Sequence, residues 1–181
     1  DQDFGIVDGF TTRKRRPGDL VDTKRVVPHD DVHLAQIRDQ ALDGRLVQFI
    51  VHPTGKIYGS ELSDYNHPFS MLDTIYEAIP SMRKIPFGRQ VEIGLVAGRE
   101  EWPTRMHRRA QETDRDDIRK RLAEGVRSVT WMLDQGRDFI FVANRDARQQ
   151  DAAREVIGLV RGHRDPNRSN RSVAEGLLKA I

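Results

Sequence analysis

Val91-Glu92-Ile93-Gly94-Leu95-Val96-Ala97 is the clearest strand in the chain, a short apolar run of Val, Ile and Leu that ends at Gly98. Beyond it the pattern turns helical. Residues 100–109 make one candidate helix. Arg115–Gln135 makes a longer one, with Ile118, Leu122, Val126, Val129 and Leu133 recurring every three or four residues. Gly136 stops that helix, Phe139–Val142 reads as a second buried strand, and residues 147–160 read as another helix. Strand, helical crossover and strand define an α/β fold with a largely parallel sheet.

The N-terminal half is less regular. Phe4–Val7 reads as a buried strand, and the charged, Pro- and Gly-broken stretch Thr11–Asp19 as a loop. Asp30 or Asp31 can cap a helix carrying Leu34, Ile37 and Ala41, with Gly44 as its stop. Leu46–Val51 reads as a strand ended by the turn Pro53-Thr54-Gly55, and residues 60–70 as irregular. Phe69–Ile75 and Tyr76–Lys84 fit a strand and then a helix carrying Pro80. Residues 163–170 have the composition of a linker, and Val173–Ile181 is amphipathic; this tail docks either on its own domain or on a second subunit of a homo-oligomer.

Composition narrows the function classes. With 181 residues and 37% hydrophobic content the chain has enough apolar material for a core. No apolar run approaches membrane-spanning length, so no membrane partner is expected. Cys is absent, which removes disulfides, thiolate nucleophiles and cysteine-ligated metals and suits the cytoplasm. The 30 basic residues are 24 Arg and six Lys, nearly balanced by 28 acidic residues. Arg presents a planar fork of donors matched to phosphate and carboxylate. The chain starts at Asp1 without Met, so a preceding segment is expected.

The six His show no metal-ligand spacing, and no G-x-S-x-G elbow surrounds Ser60. What remains is phosphate chemistry. Arg13 and Arg16 lie three apart in a Pro/Gly-bounded loop, either as a solvated charge run or as two guanidinium forks converging on one anion. A nucleic-acid patch is the weaker reading of the same loop. Arg105 and Arg109 are four apart on one helix face, with Arg121 on the next helix and a polar stretch between them suited to a lid.

The order of these features resembles the guanylate kinase family. Thr11-Thr12-Arg13-x-x-Arg16-x-Gly18-Asp19 is followed about 40 residues on by Ile57-Tyr58-Gly59-Ser60. Met71-Leu72-Asp73-Thr74-Ile75 resembles the strand before the family's short helix, Arg105-x-x-x-Arg109 its lid arginines, Arg121-Leu122 its post-lid helix, and Val142–Asp146 its last strand and turn. The resemblance covers roughly residues 4–161. It implies an α/β, three-layer P-loop NTPase-like sheet flanked by helices, with a nucleotide-acceptor insertion (about 10–70) and a lid (about 105–115) in a domain spanning 1–162, then a linker and helical extension at 163–181. It also implies phosphoryl transfer from ATP, with Mg2+, to GMP or a related nucleoside monophosphate. Arg13, Arg16 and Tyr58 would hold the acceptor phosphate, Ser60 and Asp73 would help read the base, Arg105, Arg109 and Arg121 would close over the transferring group, and Asn144 would fall on the adenine side.

Departures from the family's pattern are specific. Gln48 stands where the family carries a base-reading Glu, Gly9 where a phosphate-contacting Ser is usual, Arg25 where a phosphate-contacting Tyr is usual, and Ile75 where a second acidic residue is usual. Arg25 would then substitute as a phosphate ligand. No G-x-x-x-x-G-K-[ST] occurs, and the family's first strand, donor loop and first helix would precede Asp1. Two alternatives follow: a catalytically inactive module that uses the acceptor pocket for binding, or a kinase of this fold with another phosphorylated acceptor.

Overall fold

The computed structural model describes residues 3–15, 24–52, 55–111, 115–136, 139–163, 165 and 169–181. The chain divides into two compact units, residues 1–87 and 88–181.

In the first unit, β1 (Phe4–Ile6) pairs in parallel with a later strand. Then come β2 (Gly9–Thr11), β3 (Lys24–Val26), helix α1 (Asp31–Leu42), β4 (Leu46–Val51) and β5 (Ile57–Glu61). A single 3-10 turn at Leu62–Asp64, β6 (Phe69–Met71), a second 3-10 turn at Tyr76–Ala78 and the short α2 (Ile79–Met82) complete it. The partner of β1 is β6, with Phe4 stacked on Phe69 at 4.8 Å between ring centroids. The other four strands form a sheet in the order β3-β2-β5-β4.

Local chemistry accounts for these elements. The Asp30 carboxylate accepts from the His33 amide at 2.9 Å and caps α1, and Gly44 turns the chain out of it at φ 69°. The short connection between β4 and β5 forces them antiparallel; His52 donates to the Lys56 carbonyl at 2.8 Å and Gly55 to that of His52 at 2.7 Å.

Several expectations need correction here. The four-stranded sheet is mixed, with β2–β3 parallel but β2–β5 and β4–β5 antiparallel, while β1–β6 is a separate parallel pair. Residues 60–70 are not irregular throughout, since β5 runs through Ser60 and Glu61 and β6 begins at Phe69. The strand expected over 69–75 stops at Met71, which leaves Asp73 in an extended connection. The loop expected from Thr11 begins one residue later. Gly9–Thr11, fully buried, is an inner strand whose partners lie far away in sequence, and local composition does not report such pairing.

In the second unit, β7 (Ile93–Val96) leads through α3 (Glu101–Ala110) and α4 (Arg115–Asp134) to β8 (Ile140–Ala143), which pairs with β7 in parallel from Ile93↔Ile140 to Val96↔Ala143. This is the expected crossover. The chain continues into α5 (Gln149–Val160) and α6 (Ser169–Leu178). Val142, Ala152 and Leu159 form a core with Ile93, Ile140 and Val156 packed around it.

Helix α6 docks on its own unit, against α4, β7 and β8. With Gly176 inside it, so short a helix would be marginal alone. It is held by tertiary contacts: Ala174 and Leu177 are buried, and Asn170 Nδ2 donates to the Phe141 carbonyl (3.0 Å) and to Glu155 Oε1 (2.9 Å). The Arg171 guanidinium donates to the carbonyls of Leu133 and Gly136, each at 2.7 Å, and so adds donors at the end of α4, where Leu133 also accepts from the Gly136 amide. Among the described residues no helix is long and apolar enough to cross a membrane.

Candidate functional site

The four-stranded sheet of the first unit carries a polar face. Side chains alternate across a strand, and the register sets Gln48 opposite Ser60, Ile50 opposite Tyr58, and Tyr58 opposite Thr11. Gln48, Tyr58, Ser60 and Thr11 therefore share one side, and Lys24 joins them with its ammonium 5.1 Å from the Tyr58 ring centroid. Ile50 lies on this side too, and the other side carries Phe10, Phe49, Val51 and Ile57 together with Arg25. There the Phe10 ring lies against Gly59, so that a Cβ at position 59 would run into it.

Gln48 and Ser60 on this face are each held by a side-chain hydrogen bond. Gln48 is 5% exposed, and its Nε2 donates to Thr74 Oγ1 at 2.7 Å. The Thr74 hydroxyl in turn donates to the Ile75 carbonyl at 3.4 Å, which fixes the direction of the pair. The Gln48 carbonyl oxygen has no hydrogen-bond partner among the described residues. Ser60, with no exposed surface, shares a hydrogen bond of 3.0 Å with the Tyr65 hydroxyl. Thr12 Oγ1 accepts from the Ile57 amide at 2.9 Å and ties the start of the Arg13 loop to β5.

Burial pushes the Tyr65 phenol above its ordinary value of 10.0, partly offset by the hydrogen bond to Ser60. A raised phenol favours the neutral folded form. The contribution of Tyr65 to stability is therefore expected to be flat below about pH 10 and to fall above it, as the unfolded chain ionises first. Urea unfolding followed across that range checks this, and Tyr65→Phe should flatten the slope.

The expected site residues divide by unit. Gln48, Tyr58 and Ser60 are brought together. Arg13 is half-buried beside them in sequence, its amide donating to Thr11 Oγ1 at 3.1 Å. Arg16 lies outside the described residues. Arg25 is not brought to the polar face: it shares the register of Phe10 on the opposite side, and its Nη2 donates to both carboxylate oxygens of Asp64, at 3.2 and 3.3 Å. Asp73 is exposed, and its neighbour Thr74 makes the contact with Gln48. Sequence reasoning passed over Thr74 and Tyr65, because each acts through a partner 26 or five residues away and neither has a distinctive local signature.

In the second unit, the carboxyl ends of β7 and β8 are laced by two α3 side chains. Glu101 Oε2 accepts from the Gly98 amide at 2.8 Å, and its Oε1 from the Asp146 amide at 3.2 Å. One turn on, Arg105 donates through Nε to Asp146 Oδ1 at 2.9 Å and through Nη2 to the Asn144 carbonyl at 2.7 Å. Arg105 and Asn144 thus meet, through the Asn144 backbone. Arg109 is exposed on α3, and Arg121 is half-buried on α4. A groove of about 340 Å³ lies nearby, lined by the Gly98–Glu101 turn, Arg145 and the α6 residues Ser172, Val173 and Gly176.

The described residues do not fit ATP phosphates or a resident Mg2+. Lys56, the only Lys preceded by Gly, sits in the turn between two antiparallel strands and not between a strand and a helix. No cluster of three or more carboxylate or imidazole side chains suited to a metal occurs among the described residues.

The elements define a mixed α/β, guanylate kinase-like fold. The crystal structure of guanylate kinase from Anaplasma phagocytophilum matches it with a TM-score of 0.60 at 15% sequence identity, over 90% of this chain and 76% of that one. No protein-family model and no curated protein matches the sequence.

Proposed function

We propose that the chain is a guanylate kinase-like protein that binds a nucleoside monophosphate, GMP or a close relative, on the polar face of its first unit. The observation that carries this reading is the in-register set Thr11, Tyr58, Ser60 and Gln48, with the Gln48 Nε2 donating to Thr74 and its carbonyl oxygen left as the acceptor, on a fold like that of a guanylate kinase. Arg13 and Arg16, with Tyr58, take the acceptor phosphate in this reading, Gln48 and Ser60 read the base, and Asp73 assists from the adjoining connection. Arg25, held by Asp64, is a weaker phosphate ligand than its position in the sequence suggests.

Arg105, Arg109 and Arg121 belong to the second half of the reading, the kinase itself. They supply positive charge to a transferring phosphoryl group, and Asn144 marks the adenine side. Phosphoryl transfer asks a protein mainly for positioning and charge. When bound, ATP and Mg2+ would supply the phosphoryl group and its charge neutralisation; the described residues include no cradle for them. In this reading 1–162 is the kinase-like domain of a cytoplasmic protein, and 163–181 is an extension that completes the second unit.

The Gln48 amide favours a different acceptor from that of a Glu, because it presents one carbonyl acceptor beside donors where a carboxylate presents acceptors alone. Calorimetry with a panel of nucleoside monophosphates tests both points. At least one should bind, and Gln48→Leu should weaken that binding about tenfold, by removing a hydrogen bond in a desolvated site. Failure of every monophosphate to bind would overturn the proposal.

A further inference from the structure

The Arg105 guanidinium, which the proposed function assigns to phosphate, is already committed to a carboxylate of its own chain. Nε and Nη2 both approach Asp146 Oδ1, the latter at 2.7 Å, and Nη2 also reaches the Asn144 carbonyl. Only Nη1 keeps its hydrogens without a partner among the described residues. The Arg105 side chain is 22% exposed and that of Asp146 49%, so the pair is open to solvent on the carboxylate side.

The turn bearing Asp146 is also constrained. Glu101 holds the Asp146 amide, and the next residue, Ala147, sits at φ 57°, the only non-glycine with positive φ among the described residues. Such a conformation persists where surrounding contacts over-determine it. Two residues one turn apart on α3 thus clamp the same turn.

We propose that Asp146 is a built-in competitor for Arg105: its carboxylate holds the guanidinium at the carboxyl edge of β7 and β8, and an incoming phosphate engages Arg105 fully only by displacing it. Both anions want the same planar fork. A phosphate confined to Nη1 would face the Asp146 charge across a single guanidinium, whereas one that displaces Asp146 gains the Nε–Nη2 edge and frees the turn. Arg105 is then masked until a multiply charged anion arrives, which limits its attraction for singly charged bystanders. This inference rests on the reading of Arg105 as a phosphate ligand, but not on which monophosphate the first unit binds.

Inorganic pyrophosphate is a suitable probe for the 181-residue chain. Asp146→Asn should bind it about three- to fivefold more tightly than the unaltered chain, the scale of a half-exposed ion pair. Asp151→Asn is the charge-matched control, because Asp151 pairs with Arg148 and Arg154 on α5 and its loss changes net charge equally. It should bind like the unaltered chain, and adding Arg105→Gln to Asp146→Asn should abolish the gain. Should Asp146→Asn fail to fold, the Arg105 Nε–H resonance of the unaltered chain, followed by NMR during a pyrophosphate titration, is expected to shift as the carboxylate is displaced. Equal affinities for Asp146→Asn and Asp151→Asn, or a resonance unmoved at the highest pyrophosphate concentration, would overturn the proposal. Monophosphate binding measured separately shows whether the first-unit reading stands or falls independently.

Discussion

Removing residues 169–181 should unfold the second unit. Helix α6 contributes Ala174 (0% exposed), Leu177 (3%) and Asn170 (5%) to the interior. Losing a buried Leu alone costs about 2–5 kcal/mol. The deletion also leaves the Phe141 carbonyl and Glu155 without the Asn170 amide, and strips the Leu133 and Gly136 carbonyls of Arg171. Of these contacts the one to the Phe141 carbonyl is buried, and a buried polar group left without a partner costs about 1–3 kcal/mol. Together these approach the whole stability of an ordinary domain, about 5–15 kcal/mol. Both tryptophans, Trp102 and Trp131, lie in this unit, so their fluorescence reports it selectively. The shortened chain should show solvent-exposed tryptophan emission in the absence of denaturant. An unfolding midpoint equal to that of the full chain would refute the structural role given to α6.

Gly9→Ser is expected to disrupt the first unit, although it restores the residue usual in the family the sequence resembles. A Cβ at position 9 would lie 2.5 Å from the Gly59 carbonyl oxygen and 3.5 Å from Ser60 Cβ. The obstacle is backbone and cannot rotate away. Strand β2 is paired on both sides, with β3 and β5, so it cannot shift without breaking a register. Overpacking of this kind costs about 1–3 kcal/mol. Amide exchange by NMR checks it, with loss of protection in β2 and β5 and native protection retained in β7 and β8. Unaltered protection of β2 would mean that the sheet tolerates the side chain.

These two positions also show where the sequence was legible. The β7–α3–α4–β8 crossover could be read directly, because long amphipathic helices and compact apolar strands announce themselves through period and composition. The cap at Asp30 and the stops at Gly44 and Gly136 were equally local. Strands β2, β3 and β5 were not read, since their stability comes from neighbours distant in sequence and their residues include Gly9, Gly59, Lys24 and Arg25. The same limit applies to the site. Gln48, Tyr58 and Ser60 stand out in the sequence, but nothing local separates Arg25 from them, and only the register shows that it belongs to the other side of the sheet. The contacts that orient the candidates, Thr74 on Gln48, Tyr65 on Ser60 and Asp146 on Arg105, join residues in separate elements or across a turn, which periodicity does not reveal.

The central claim is that the polar face of β2, β4 and β5 receives a nucleoside monophosphate. The most direct measurement is an NMR titration of the chain with GMP and related monophosphates, read at the backbone amides and the Gln48 side-chain amide. The account predicts saturable shifts concentrated at Thr11, Gln48, Tyr58 and Ser60, with the Gln48 amide among the most affected. Saturable binding whose shifts leave these residues unmoved, or no binding by any monophosphate, would contradict it.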